Sequence, residues 1–128
     1  MRNTFLIAVL IAAAGLFLLP GSASAHHGWA AFDPDSTVTL HGTVTDFHFT
    51  NPHCVVEFDV KDDKGQNQKW QGELTSLNRL ARKGWSATSM EAGDDITVSG
   101  YPTRNGVLVI RISKIAVKGR ELIVDMGN

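Results

Sequence analysis

One cysteine, Cys54, is the entire thiol content of the 128 residues. It can close no disulfide within the chain, and no paired-cysteine zinc pattern exists. The sequence also lacks G-x-S-x-G, a phosphate-binding loop and H-E-x-x-H, which removes the common serine-hydrolase, nucleotide and zincin patterns. No internal repeat, heptad or low-complexity tract occurs. Acidic pairs stand only at Asp62-Asp63 and Asp94-Asp95, in turn-forming surroundings where they serve turn geometry and solubility rather than a catalytic carboxylate pair. No catalytic residue is therefore assigned. Histidine is absent beyond position 53: His26, His27, His41, His48 and His53 all fall in one stretch of the first half.

Only one long hydrophobic run is present, Phe5 to Leu19, after a start carrying Arg2. Pro20 and Gly21 follow, then Ala23-Ser24-Ala25, the small-x-small pattern of a signal peptidase site. The run is shorter than the roughly 18 to 20 apolar residues that span a bilayer. These features predict a signal peptide over residues 1–25, no membrane span after its cleavage, and a periplasmic or secreted product. An uncleaved anchor is the alternative. No cysteine follows the small-residue site, which argues against a lipid-anchored precursor. Cleavage after Ala25 removes 25 of 128 residues and leaves 103, enough for one domain. Losing Arg2 leaves 11 basic against 13 acidic side chains, a formal −2. That balance leads to the expectation that no nucleic acid is bound. Without disulfides, an exported domain of this size has to stand on its hydrophobic core.

Residues 26–37 read as a lead-in segment ending in the turn-forming Asp33-Pro34-Asp35-Ser36, and residues 38–128 as the folded domain. VTLHGTVTDFHF, starting at Val38, alternates as a strand, with Val38, Leu40 and Val44 on one face and Gly42 marking a bend. Pro52 breaks it. CVVEFDV forms a second strand with Cys54, Val56, Phe58 and Val60 toward the core, and KWQGEL a third. SLNRLARKGW reads as a short helix with Ser76 as N-cap, Leu77, Leu80 and Ala81 as its apolar stripe, and Gly84 as its stop. DITVSGY and VLVIRISKIAV supply strands four and five, the latter with Leu108, Ile110 and Ile112 inward. ELIV adds a short sixth strand or extends the fifth. The order β-β-β-α-β-β predicts a mainly β chain folded as a small five-stranded OB-like barrel with one short helix. A small open α+β sandwich is the rival.

If cleavage falls after Ala25, His26 carries a free α-amine beside its own imidazole. Amine and Nδ1 can close a chelate ring on a metal, and a third nitrogen from another histidine completes a T-shaped site. Nitrogen-rich flattened sites suit Cu(II). His27 offers a competing mode through its imidazole and the intervening amide. The partner best placed is His53, in the first inter-strand loop behind Pro52. The metal-site residues are therefore His26, His27 and His53, with copper as the cofactor. Twelve residues of lead-in run straight could match the roughly 40 Å of a 12-residue first strand at about 3.3 Å per residue; a coiled lead-in would leave His41 nearer. His41 and His48 read as solvated outer-face residues, Cys54 as a buried thiol, and Trp29, Trp70 and Trp85 as core or core-edge packing. Arg79, Arg82 and Lys83 read as a solvated helix face.

His26-His27-Gly28, VTLHGTV, Thr50-Asn51-Pro52-His53, SLNRLARKGW and the Gly93-Asp94 turn together resemble a family of small exported bacterial proteins classed only as a domain of unknown function. Its usual pattern has serine where Gly28 stands and an apolar residue where Cys54 stands, which argues against a chemical role for the thiol. The resemblance implies export and this layout, and supplies no activity. The expectation is an exported small binding protein of the bacterial envelope that holds copper through its N-terminal histidine and is more readily a binder than an enzyme. A non-metal interaction module docking on an envelope protein partner, and a copper-dependent redox enzyme, are the alternatives.

Overall fold

The computed structural model describes residues 28–126. A short 3-10 turn, Trp29–Ala31, precedes β1 (Val38–His48), β2 (Val55–Lys61), β3 (Asn67–Glu73), α1 (Leu77–Arg82), β4 (Asp95–Pro102), β5 (Val109–Val117) and β6 (Arg120–Leu122). Hydrogen bonding runs β3-β2-β1-β4-β5, and a parallel pairing of β3 with β5, Gln71↔Val109 to Glu73↔Arg111, closes the circuit. Five strands in the cyclic order β1-β2-β3-β5-β4, with the helix between β3 and β4, make an OB barrel. Among the described residues β6 pairs with β5 alone, at Ile115↔Leu122 to Val117↔Arg120, outside the closed circuit.

Closure depends on β1 serving two partners. Its first half pairs with β4 from Val38↔Gly100 to Thr43↔Asp95, and its second half with β2 from Thr43↔Asp59 to His48↔Val55. Gly42 sits where those halves meet. A Cβ there would lie 2.5 Å from the Asp59 carbonyl oxygen, so the close approach of β1 and β2 requires glycine. Just beyond, Thr45 is a bulge, with Val44↔Phe58 followed directly by Asp46↔Glu57. The bulge adds curvature and turns Phe47 toward the core.

The interior is filled by Val44, Val56, Phe58, Leu74, Val98, Ile110, Ile112 and Ile115, with Leu80 of α1 covering one end. β5 does not keep one parity throughout. Ile110 and Ile112 face inward as expected, then a bulge at Ser113 puts Ile115 and Val117 inward in place of Lys114 and Ala116. α1 is shorter than the predicted helix. Ser76 caps it, its side chain accepting the Arg79 N–H, and Gly84 at φ +89° ends it.

Candidate functional site

The loop between β1 and β2 is pinned at several points. The Cys54 N–H donates to the Thr75 carbonyl at 2.9 Å and the Leu74 N–H to the Cys54 carbonyl at 2.9 Å, extending the β2–β3 ladder past the named strands. Asn51 Oδ1 accepts the Leu77 N–H at 3.2 Å, satisfying a donor at the start of α1. Cys54 is fully buried, and desolvation pushes its thiol pKa up against the weaker opposing effect of its contact with the Thr50 carbonyl. Strand alternation turns His53 the other way, to the exposed outer face. The sequence reading of both residues agrees with this placement.

The lead-in does not run beside β1. Phe32, 2% exposed, forms a bridge with Thr103. The Asp33 N–H donates to the Pro102 carbonyl at 2.9 Å and the Arg104 N–H to the Ala31 carbonyl at 3.0 Å. The Asp33 carboxylate accepts from Ser36 Oγ at 2.7 Å and from the Asp35 N–H at 3.1 Å, with Arg104 Nη1 3.7 Å away. These contacts, the Ser36 bond foremost, lower the Asp33 pKa. The segment is thus fastened to the β4–β5 connection, and Trp29 projects over the outer wall.

Barrel closure brings that wall to the His53 loop. The registers place Tyr101 (β4), Arg111 (β5), Glu73 (β3), Val55 (β2) and His48 (β1) in one row. The Trp29 ring lies over the Arg111 guanidinium, 4.7 Å from its carbon to the ring centroid, with the Tyr101 ring 6.4 Å away. Arg111 Nη1 stands 3.9 Å from Glu73 Oε2, both residues being buried although their strand parity is outward. Burial lowers the Arg111 pKa, and the Glu73 carboxylate opposes that shift. Arg111 Nε is buried and hydrogen-bonds to none of the described residues. Two strand spacings, about 10 Å, separate Arg111 from Val55. His53 lies two residues, roughly 7 Å, further along the chain, so Arg111 and His53 are about 12 Å apart through the wall. His26 and His27 lie outside the described residues. They precede Trp29 by three and two positions, and three residues span up to about 10 Å. The path from the lead-in to His53 is therefore across β5 and β3, far shorter than the length of β1.

The remaining histidines are accounted for on the solvated outer face. His41 Nδ1 pairs with Thr97 Oγ1 at 3.0 Å, and His48 Nε2 stands 3.4 Å from both Asp46 Oδ2 and Glu57 Oε1. Trp85 is a core residue whose Nε1 donates to the Ile123 carbonyl at 2.8 Å, and Trp70 packs at the core edge. Trp29 departs from the expected packing role: it is 53% exposed and covers a cation. Sequence reasoning missed Glu73 and Arg111, whose outward parity reads as ordinary solvated alternation. Among the described residues, no three histidine, cysteine or carboxylate side chains are grouped to hold a metal ion. His53 alone of the three expected metal-site residues is described.

Solved structures similar to this chain are OB barrels. A mitochondrial single-stranded DNA binding protein from S. cerevisiae, Rim1, is 11% identical over 64% of this chain and 92% of its own, with a TM-score of 0.43. The N-terminal domain of PriB from Thermoanaerobacter tencongensis is 23% identical over 63% and 93%, with a TM-score of 0.40. The yeast Stn1 and Ten1 structure is 13% identical over 63% and 42%, with a TM-score of 0.42. These likenesses concern the fold alone. The similar barrels include a single-stranded DNA binding protein, and the expectation drawn from net charge, that no nucleic acid is bound, is withdrawn on a physical ground. Net charge sums the whole surface, whereas a barrel groove holds a strand through local cations and stacking rings, so a formal −2 excludes nothing. No curated protein matches the sequence. The model of a family of unknown function, DUF6152, matches residues 15–109, more than half of the chain, and the protein belongs to that family.

Proposed function

We propose that this protein is a small exported binding protein of the bacterial envelope that holds a copper ion through the His26 amine and imidazole together with His53, with His27 as the competing N-terminal donor. On this reading residues 1–25 are a signal peptide removed in export to the periplasm or beyond. The observation that carries it is the docking of the lead-in. Trp29 is held over Arg111, two strand spacings from Val55, and the three residues from His26 to Trp29 span up to about 10 Å of the roughly 12 Å to His53, which leaves a gap that side chains can bridge. The donor set fits the metal: an amine and two imidazoles are borderline nitrogen ligands, which favour Cu(II) over the other common divalent ions. His53 suits a ligand's duty, being exposed on a loop that is hydrogen-bonded at both Asn51 and Cys54. When bound, copper would tie the lead-in to the β1–β2 loop.

Isothermal titration of the protein beginning at His26, against the same protein acetylated at its N-terminal amine, tests this reading. Acetylation converts the amine into an amide and is expected to weaken copper binding at least tenfold. Equal affinity in the two proteins overturns the N-terminal site.

A further inference from the structure

We propose that the outer wall carries a second binding site, for an uncharged oligosaccharide: the exposed face of Trp29 stacks one sugar ring, and the groove between β2–β3 and the β4–β5 loop takes the next. Every residue of this site is described, and none is a proposed copper ligand.

Trp29 and Val107, 53% and 48% exposed, are two of the three large hydrophobic side chains left exposed among the described residues, and both stand on this wall. Single exposed hydrophobic residues are ordinary. Trp29 is different because it is also fixed: one face of its indole lies on the Arg111 guanidinium, 4.7 Å from carbon to centroid, and the Tyr101 ring flanks it at 6.4 Å. The opposite face is therefore turned to solvent, flat, apolar and already ordered. A ring held in this way loses little freedom when a ligand stacks on it.

The groove begins one row along the barrel from that ring. Glu57 pairs with Gln71 and Gln71 with Val109, two residues, roughly 7 Å, from the row that holds Arg111 and on the side of it away from His53. Its volume is about 430 Å³, within the range of small-molecule clefts. Val107 and Leu108 form a wall that is tied down: the Leu108 carbonyl accepts the Gln71 N–H at 3.0 Å, and the Val107 carbonyl accepts the Thr103 hydroxyl at 2.7 Å. Thr45, Glu57, Lys69 and Gln71 supply the polar groups. Glu57 and Lys69 balance in charge, while the Gln71 amide and Thr45 hydroxyl both donate and accept. A sugar ring offers a flat face of C–H groups to an aromatic platform and a rim of hydroxyls that donate and accept, so the two halves of the site match its two surfaces. A phosphate chain calls instead for an excess of cations along its path. The 7 Å step between platform and groove needs more than one ring, which selects an oligosaccharide over a monosaccharide.

The test is an NMR titration of metal-free, 15N-labelled protein with three neutral trisaccharides at millimolar concentration: tri-N-acetylchitotriose, cellotriose and maltotriose. Wild type is compared with Trp29→Ala and Gln71→Ala, both at exposed positions, and amide dispersion confirms that each variant is folded. At least one trisaccharide is expected to give saturable shifts at the Trp29 indole N–H, the Gln71 side-chain amide and the Val107 N–H. Its affinity is expected to fall at least tenfold in Trp29→Ala and several-fold in Gln71→Ala. No saturable binding of any of the three, shifts confined to other surfaces, or unchanged affinity in Trp29→Ala overturns the site. Oligothymidylate saturating the same residues while the sugars do not overturns the choice of ligand. Because the protein is metal-free throughout, none of these outcomes depends on copper.

Discussion

Trp29→Ala isolates the contact on which the proposed site depends. The ring covers the Arg111 guanidinium at 4.7 Å while remaining 53% exposed. A partly exposed cation–π contact is worth about 1 kcal/mol. Roughly half of a tryptophan surface, on the order of 100 Å², is also withdrawn from water, and at about 25 cal/mol per Å² that contributes at most about 2.5 kcal/mol. The area figure is an upper bound because an extended reference chain exaggerates burial. Phe32 and Asp33 still fasten the segment in the variant, so a loss of about 1–2 kcal/mol in docking near Arg111 is the working value. One factor of ten corresponds to about 1.4 kcal/mol, so copper affinity should fall roughly 5- to 30-fold. Trp29→Phe, which keeps a ring with a weaker cation–π contact, should lie between the two. The assay is competition with a chromophoric chelator on protein beginning at His26. Urea unfolding in parallel should show a smaller change, because Arg111 gains water when its cover is lost. Copper affinity of Trp29→Ala within twofold of wild type refutes the argument that lead-in docking prepares the site.

Three further expectations follow from the fold. Gly42→Ala forces a Cβ to within 2.5 Å of the Asp59 carbonyl oxygen and should cost on the order of 1–3 kcal/mol in urea unfolding, as overpacking does; a neutral result would contradict the close β1–β2 approach. Cys54, buried and with its pKa raised by desolvation, should react with a thiol-specific disulfide reagent at pH 8 only after unfolding, and rapid labelling of the native protein would contradict its placement. Asp33 has a folded pKa below its ordinary value of 3.8, so its contribution to the Asp33–Ser36 turn is present above that value and is lost as pH falls through the folded pKa. Hydrogen exchange or NMR shifts at Asp35 and Ser36 should show the turn loosening only in strongly acidic solution, and loosening near neutral pH would contradict the assignment.

The order of elements was legible because alternation is strong wherever one face is buried. Val56 and Phe58 on β2, Ile96 and Val98 on β4, and Ile110 and Ile112 on β5 all announce their faces. Ser76 and Gly84 likewise mark the helix by local chemistry alone. The bulges at Thr45 and Ser113 were not legible. Each adds one residue to a strand, and the polar residue that absorbs it resembles any outward residue. Closure of β3 on β5 is a long-range pairing that no local pattern encodes, and it sets the distance between lead-in and loop. For the candidate site, the position of His53 in the first loop and the burial of Cys54 could be read from parity and from Pro52. The buried pair Glu73–Arg111 could not, because a glutamate and an arginine at outward positions look solvated until Trp29 is found lying over Arg111.

The N-terminal histidine and His53 are proposed to hold one copper ion. Electron paramagnetic resonance of Cu(II) bound to protein beginning at His26, compared with His53→Ala, addresses it most directly by counting coupled nitrogens. Coupling to three nitrogens is expected in wild type and to two in His53→Ala, with weakened binding. Identical spectra and affinities in the two proteins would contradict it.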